Sequence, residues 1–165
     1  MTLIATTVTT PLGQMSLLGT ADCLYVAAFG DDLDDLRDRL PESLRGEHVE
    51  RGEMSAAAAL RDYFAGDVTA LDRVDVSQPG GAFHTAVWKE MRAIPAGTTV
   101  SYSELAARAG APRAVRAAAS ACARNAVCLF VPCHRVVRRD GSLGGYYYGL
   151  ATKRRLLEHE RQTAR

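Results

Sequence analysis

Hydrophobic and polar positions alternate near the start of the chain in the manner of short β-strands. Val, Ile, Leu, Tyr and Phe recur over residues 3–9, 14–18 and 23–29. Pro11-Leu12-Gly13 and Gly19-Thr20-Ala21-Asp22 separate these runs and are typical turn sequences. We therefore predict that the fold begins with a small antiparallel sheet.

The spacing of hydrophobic positions then changes to that of helices. Leucines at positions 33, 36 and 40 predict a helix over residues 31–40, and a second helix is predicted over residues 54–64. Val74-Asp75-Val76 predicts one more strand. Ser77-Gln78-Pro79-Gly80-Gly81 follows it and has the composition of a linker, so we place a domain boundary there.

This boundary also separates two halves of opposite charge. Residues 1–80 contain 6 Arg and Lys against 14 Asp and Glu, and residues 81–165 contain 14 against 5, so the net charges are −8 and +9. Because Arg and Lys neutralise phosphates in nucleic-acid complexes, the basic half is expected to meet a polyanion. A solvated surface without such a partner is the alternative.

The second half begins with a predicted helix over residues 83–94. Ser101-Tyr102-Ser103-Glu104 is a capping box, in which the first serine accepts the amide hydrogen of the glutamate, so the next helix is expected to start at Tyr102. It should end at Gly110, and Pro112 lies where the first turn of another helix would begin. This spacing fits a helix-turn-helix, although any αα-hairpin would look similar.

The second helix of this pair has two different faces. One face is polar and comprises Arg113, Arg116, Ser120 and Arg124. The opposite face is apolar and comprises Val115, Ala118 and Cys122. Such a helix can lie against a DNA backbone, and an ordinary solvated helix is the alternative interpretation.

The whole sequence disfavours several other classes of protein. A hydrophobic fraction of 47% is enough for a core, and no apolar stretch is long enough to span a membrane. The N-terminus lacks the pattern of a secretory signal, so we expect a cytoplasmic protein with reduced cysteines. There is no Cys-x-x-Cys pair and no helical pair of histidines, so we expect no metal.

The candidate chemistry centres on a cysteine. The apolar run 126–131 leads into Pro132-Cys133-His134, and a thiol needs a neighbouring base or cation to react at neutral pH. A last helix is predicted over residues 151–161, and Glu160 shares its face with Leu156 and Leu157, where a buried carboxylate would need a partner such as an imidazole. A core cysteine and an exposed glutamate are the alternatives, and adjacent side chains in a strand would point in opposite directions.

Two segments follow the cysteine. Arg139-Asp140-Gly141 predicts a hairpin turn. Gly144-Gly145-Tyr146-Tyr147-Tyr148-Gly149 predicts an aromatic loop that could stack on a planar base, although tyrosines in a hydrophobic core would also fit.

The second half resembles the O6-alkylguanine-DNA alkyltransferases, also called methylated-DNA–protein-cysteine methyltransferases. The matching segments are Phe83-His84-Thr85-Ala86-Val87-Trp88, Ile94-Pro95-Ala96-Gly97, Ser101-Tyr102, Arg116, Asn125, Pro132-Cys133-His134-Arg135-Val136-Val137, Gly145-Tyr146 and Leu156-Leu157-Glu158-His159-Glu160. The first half matches more weakly, in Thr10-Pro11-Leu12-Gly13 and Leu60 to Gly66. The resemblance implies an RNase-H-like α/β first domain and a mainly α second domain with a winged helix-turn-helix.

The resemblance also implies roles for individual residues. Cys133 would take the alkyl group from O6 of guanine, His134 would deprotonate it through a water, and Glu160 would orient the histidine. Asn125 would brace the turn before the cysteine. Tyr102 would donate a hydrogen bond to guanine N3, which improves the leaving group.

The expected partner is double-stranded DNA containing O6-alkylguanine, bound through the minor groove with the damaged nucleotide rotated out of the stack. Arg116 would fill the vacancy. The other residues expected to bind DNA are Ala117, Ala119, Ser120, Arg124 and Arg139. The expected substrate-binding groups are the carbonyls of Cys133 and Val136, the amide of Tyr147, and Tyr146, Tyr148 and Cys128. No cofactor and no obligate protein partner are implied.

The sequence departs from the family pattern at several positions. Tyr147-Tyr148 replaces a small residue and glycine, Ala126 and Cys128 replace prolines, and Ala96 replaces a tyrosine. Bulky Tyr148 should narrow the pocket and favour methyl over benzyl transfer. Cys128 could also be a second nucleophile or a crosslinking site.

Three other functions remain open at this point. The chain could bind alkylated bases without reacting, it could be a helix-turn-helix regulator, or it could be a cysteine hydrolase. The intact Cys133 argues against the first, the regulators of the family have an additional four-cysteine zinc domain that nothing here resembles, and a hydrolase would need an oxyanion hole.

Overall fold

The computed structural model describes residues 1–163, which form two compact units. The first unit comprises Met1–Pro79 together with Ala126–Phe130, and the second comprises Gly80–Asn125 and the chain from Val131 onward. The segment 126–130 therefore belongs to the first unit, although the predicted boundary at residue 80 would assign it to the second. Its backbone is hydrogen-bonded to a strand of the first unit, which no local pattern indicates.

The first unit contains a five-stranded mixed sheet. Its strands are β1 (Thr2–Thr10), β2 (Gly13–Gly19), β3 (Cys23–Phe29), β4 (His48–Arg51) and β5 (Asp75–Val76). The strand order is β4-β1-β2-β3-β5, in which β1, β2 and β3 are antiparallel, while β4 is parallel to β1 and β5 is parallel to β3. The predicted antiparallel sheet is confirmed for the three inner strands. The edge strand β4 was missed because its residues are mostly exposed and polar.

A tight turn joins the first two strands. Gly13 has φ of 115°, a left-handed conformation that glycine adopts without steric cost. The Thr10 hydroxyl donates to the Gly13 carbonyl at 2.6 Å and accepts from the Leu12 amide at 3.1 Å. The turn sequence therefore provides both the backbone freedom and the hydrogen bonds that the turn requires.

Two helices complete the first unit, α1 (Leu33–Asp38) and α2 (Ser55–Phe64). Helix α1 is shorter than predicted and is capped by the Asp32 carboxylate, which accepts two backbone amide hydrogens. Helix α2 buries Leu60 and Tyr63 on one face, as its spacing predicts. The segment 126–130 is held by two bonds to Ala27, from the Ala27 amide to the Ala126 carbonyl and from the Cys128 amide to the Ala27 carbonyl, both 3.0 Å.

The second unit is mainly helical. Its helices are α3 (Ala82–Arg92), α4 (Tyr102–Arg108), α5 (Val115–Ala123) and α6 (Leu150–Thr163). Strands β6 (Val100–Ser101) and β7 (Val136–Val137) form a short parallel pair. The predicted start of α4 at Tyr102 is confirmed, with the Ser101 hydroxyl accepting the Glu104 amide hydrogen at 3.0 Å.

Two predictions about this unit were wrong in detail. Helix α5 begins at Val115, so Pro112 lies in the preceding turn rather than in the first turn of the helix, and Arg113 and Arg124 lie outside the helix. The predicted turn over residues 139–141 forms, with the Gly141 amide donating to the Arg138 carbonyl and the Arg138 amide to the Ser142 carbonyl, but among the described residues it joins no antiparallel strand pair.

The core of the second unit forms around helix α3. Val87, Trp88 and Met91 are buried at helical spacing. The Trp88 indole donates a hydrogen bond to the Ala121 carbonyl of α5 at 2.9 Å, which fixes the ring against that helix. Within residues 1–163, no helix is long and apolar enough to cross a membrane.

Gly80 should be a sensitive position for stability because its backbone lies against this fixed ring. A Cβ atom at Gly80 would lie 2.7 Å from the Trp88 ring. We expect Gly80→Ala to lower the free energy of unfolding by about 1–3 kcal/mol, as overpacking does elsewhere. Urea denaturation is the measurement. Gly46→Ala is the matched control, since a Cβ there meets no atom within 4 Å, and equal losses in the two variants would contradict the prediction.

Candidate active site

Cys133 lies at the start of a short 3-10 turn, Cys133–Arg135, directly before β7. Because this segment is a turn rather than a strand, the side chains of Cys133 and His134 are not forced to opposite sides. Asn125 holds the approach to the turn, since its side-chain amide donates to the Val131 carbonyl at 2.7 Å and hydrogen-bonds the thiol. The predicted bracing by Asn125 thus has a direct structural basis.

His134 is completely buried and pairs with Glu160 from α6, with 2.8 Å between Nε2 and Oε2. A carboxylate accepts hydrogen bonds, so the proton of the neutral imidazole is assigned to Nε2. Nδ1 has no hydrogen-bond partner within the described part of the chain. Burial lowers the pKa of His134, and it outweighs the opposite effect of Glu160. The geometry therefore presents a neutral imidazole with an available lone pair on Nδ1.

Glu160 is also bound by a second partner, Arg135. The Arg135 guanidinium donates to Oε1 at 2.9 Å and to Oε2 at 2.8 Å, and its third nitrogen donates to the Ile94 carbonyl at 2.7 Å. Burial alone would raise the pKa of Glu160, but its interactions with His134 and Arg135, hydrogen bonds from both among them, outweigh burial and hold that pKa below its usual range. The carboxylate is therefore ionised at neutral pH.

A buried lysine lies on the other side of the turn. Lys153 of α6 has no exposed surface, and its ammonium group donates to three carbonyls, those of Val136 (2.7 Å), Leu143 and Gly145 (3.2 Å). Its nitrogen also lies 6.0 Å from the centre of the Tyr102 ring. One cation thus fixes the backbone on both sides of the segment 138–142.

Tyr102 lies in the first turn of α4 and contributes a hydroxyl to the same region. It is hydrogen-bonded to the Gly145 backbone, and a Cβ at Gly144 would approach its ring and hydroxyl to 3.0 Å. Burial raises the pKa of Tyr102 to about 12, with a further contribution from Cys122. The hydroxyl therefore remains a hydrogen-bond donor at neutral pH.

The Cys133 thiol is not activated by its surroundings alone. Burial raises its pKa, and the hydrogen bond from Asn125 and the charge of Lys153 only partly oppose this effect. At neutral pH the group is a thiol, so its reaction as a nucleophile requires a base. The imidazole of the next residue is a base of the right kind.

Comparisons with known proteins identify the family of the chain. Residues 82–162 match the family model for the DNA-binding domain of 6-O-methylguanine DNA methyltransferase. A methylated-DNA–protein-cysteine methyltransferase of Mycobacterium tuberculosis is 37% identical over 159 residues, which are 96% of this chain and 92% of that protein. The chain belongs to the family of methylated-DNA–protein-cysteine methyltransferases.

Other relatives differ in how much of their length is matched. The regulatory protein Ada of Salmonella typhimurium is 55% identical over 83 residues, which are 50% of this chain but only 24% of that protein. A crystal structure of Mycobacterium tuberculosis OGT in complex with DNA superposes with a TM-score of 0.80 at 32% identity, covering 97% of this chain and 94% of that one. The chain thus shares its two-unit α/β architecture with that structure along nearly its whole length.

Most of the site residues predicted from the sequence lie in the second unit. Asn125 hydrogen-bonds Cys133, His134 pairs with Glu160, and Lys153 lies beside both the Val136 carbonyl and the Tyr102 ring. Cys128, by contrast, belongs to the first unit, where it is buried and paired with Ala27. Its expected place in the alkyl pocket therefore stays a prediction.

The expected DNA-contacting residues occupy exposed or half-exposed positions. On α5, Arg116 is exposed while Ala117, Ala119 and Ser120 are half-buried. Arg124 caps the end of that helix, and Arg139 lies in the turn after β7, where both are exposed. These placements leave the residues accessible to a partner.

Two essential parts of the site were missed from the sequence. Arg135 entered only the charge count of the second half and the matching motif, without a role of its own, and it is 2% exposed. Lys153 was not considered, although it lies three residues before Leu156 and seven before Glu160, on the same helix face. The argument that identified Glu160 as a polar residue on an apolar stripe applies equally to Lys153.

The buried imidazole should make stability depend on pH. The unfolded chain takes up a proton on His134 near the ordinary pKa of about 6.5, whereas the folded chain takes it up only at lower pH. The free energy of unfolding should therefore fall between about pH 7 and about pH 5, by at most about 1.4 kcal/mol per pH unit.

Urea denaturation across that range measures this slope. His134→Gln, which keeps an N–H group for Glu160, should make the slope shallower. His159→Gln, on a less buried part of α6, is the control and should keep it. Equal slopes in His134→Gln and the unmodified protein would contradict the assignment of His134 as a neutral buried group.

Proposed function

We propose that this chain repairs alkylated DNA directly, by transferring a methyl or other small alkyl group from O6 of guanine to Sγ of Cys133. In this step an S–C bond forms, the C–O6 bond breaks and guanine leaves with the bonding electrons. A thioether does not hydrolyse, so each molecule reacts once. The observation that supports the proposal is a half-buried thiol followed in the sequence by a neutral imidazole that is held by a carboxylate.

His134 acts as the base in this proposal. The Cys133 thiol is protonated at neutral pH, and its proton passes to Nδ1 of His134 through a water molecule. The imidazolium that results keeps its Nε2–H bond to Glu160, whose negative charge stabilises it. His134 and Glu160 thus take the thiol proton and stabilise its charge without contacting the guanine.

Other groups of the second unit bind the base. Tyr102 donates a hydrogen bond to guanine N3 as negative charge develops on the leaving group, and its raised pKa keeps that proton in place. The carbonyls of Cys133 and Val136 accept the exocyclic amine, and the Tyr147 amide approaches O6. Lys153 supports this arrangement because it holds the Val136 carbonyl and the loop before Tyr146.

The proposal includes the mode of DNA binding. Helices α4 and α5 form a winged helix-turn-helix that enters the minor groove, where the small side chains of Ala117 and Ala119 permit close approach. The damaged nucleotide is rotated out of the duplex, and Arg116 occupies its place. The first unit is an RNase-H-like support domain, an assignment supported by the antiparallel β1-β2-β3 ladder with β4 parallel to β1.

Reaction with a duplex containing O6-methylguanine tests the acceptor. Peptide mass mapping should locate one added methyl group on Cys133, and Cys133→Ala should abolish the gain. Cys23→Ala, in strand β3, is the matched control and should react fully. Methylation of another residue would contradict the proposal, and intact lesion binding without any modification would favour a non-catalytic binder.

The size of the pocket provides a second test. Tyr148 is half-buried and packs against both neighbouring tyrosine rings, with centroid distances of 5.8 Å to Tyr146 and 5.0 Å to Tyr147. We expect the protein to react faster with O6-methylguanine than with O6-benzylguanine DNA, and Tyr148→Gly to reduce this preference by about tenfold or more.

Single-turnover rates on the two duplexes measure the preference. Tyr147→Gly is the matched control, because this side chain is 76% exposed and only its backbone amide is assigned to the base. The control should retain the preference of the unmodified protein. Comparable rates on both duplexes in the unmodified protein would overturn the assignment of Tyr148.

A further inference from the structure

Arg135 is a buried charge that the proposed reaction does not use. Its guanidinium is 2% exposed and has all three nitrogens bonded, two to the carboxylate of Glu160 and one to the Ile94 carbonyl. Oxygen Oε2 of Glu160 therefore accepts from both Arg135 and His134, at 2.8 Å each. Such a bidentate pair is geometrically specific and cannot be replaced by a simple point charge.

The Arg135–Glu160 pair affects the protonation state of His134. A buried carboxylate 2.8 Å from an imidazole attracts a proton to that imidazole, since opposite charges interact strongly away from water. A protonated His134 has no lone pair on Nδ1 and cannot accept the proton of Cys133. Glu160 alone would therefore favour the inactive protonation state of the base.

Within residues 1–163, the charged and titratable groups that act on His134 or share its turn lie on two elements. Glu160 and Lys153 reach it from α6, and Arg135 and Cys133 belong to its own turn. Among these groups only Glu160 favours the imidazolium, while Arg135 and Lys153 oppose it. Arg135 differs from Lys153 because it binds Glu160 directly, whereas the hydrogen bonds of Lys153 go to backbone carbonyls.

We propose that Arg135 is a positioning residue that keeps His134 neutral by sharing the Glu160 carboxylate, so that Nδ1 can take the proton of Cys133. The inference rests on the proposed role of His134 as the base. Before reaction, the Arg135–Glu160 pair is neutral and the imidazole is neutral. After the thiol proton has moved to Nδ1, the same carboxylate stabilises the imidazolium, so one group serves both states.

The pH dependence of single-turnover methyl transfer tests this role. In the unmodified protein the rate should rise with pH as His134 loses its proton and then level off. In Arg135→Gln the midpoint of this rise should move to higher pH by about one unit or more, the size of effect that a close charge has on a buried group. In the double variant Arg135→Gln/Glu160→Gln the midpoint should return toward that of the unmodified protein, because the carboxylate charge is also gone.

A merely structural role predicts a different outcome. Arg135→Gln would then lower the melting temperature or the plateau rate and leave the midpoint unchanged, and this result would overturn the inference. If Arg135→Gln does not fold, Arg135→Lys is the second variant, in which one ammonium cannot bond both oxygens and the midpoint should rise by a smaller amount. An unshifted midpoint in folded Arg135→Lys would also overturn the inference.

Two further variants separate this inference from the proposal on which it rests. Arg161→Gln, an exposed residue next to Glu160 on α6, is the matched control and should not move the midpoint. His134→Gln should remove the pH-dependent rise. If His134→Gln keeps the rise, the role of His134 as base fails, whereas loss of the rise together with an unshifted Arg135→Gln midpoint defeats only the role of Arg135.

Discussion

The second unit depends on the ionic contact between Glu160 and the turn that contains Cys133. Glu160 is fully buried near the end of the last helix, and it is bonded to both His134 and Arg135. A carboxylate in this position is tolerated only because each of its oxygens is bonded to a donor. Removing one partner would leave a charge buried without compensation, so the helix and the turn constrain one another.

The second buried cation performs a different task in the same helix. Lys153 is bonded to three backbone carbonyls, so it fixes the path of the chain rather than a protonation state. It links the strand after the nucleophile to the aromatic loop, and Tyr102 lies beside both. Helix α6 therefore contributes two buried charges from one face, a carboxylate that pairs with His134 and Arg135 and an ammonium group that binds three backbone carbonyls.

The arrangement also explains how a thiol can be both protected and reactive. Burial raises the pKa of Cys133, which keeps it protonated and limits unwanted reactions in the absence of substrate. In the proposed reaction, the neutral imidazole of His134 accepts the thiol proton when an alkyl group is presented. A protein that reacts once and is then consumed benefits from a nucleophile that is not permanently ionised.

The sequence by itself determined the three inner strands, helices α2, α3 and α6, the start of α4 and the identity of Cys133, His134 and Glu160 as candidate groups. These features depend on periodicity, turn residues and motif spacing, which act over a few neighbouring positions. The partners of Glu160 depended on tertiary structure, since Arg135 and Glu160 are separated by 25 positions along the chain.

The placement of residues 126–130 in the first unit and the polar edge strand β4 were likewise decided by pairing between distant segments. The start of α5 also differs from the prediction, because the chain turns at Pro112 before the helix begins. A sequence shows which residues carry charge, but only the folded chain decides which charges are buried together, because that outcome depends on desolvation and on the geometry of each pair.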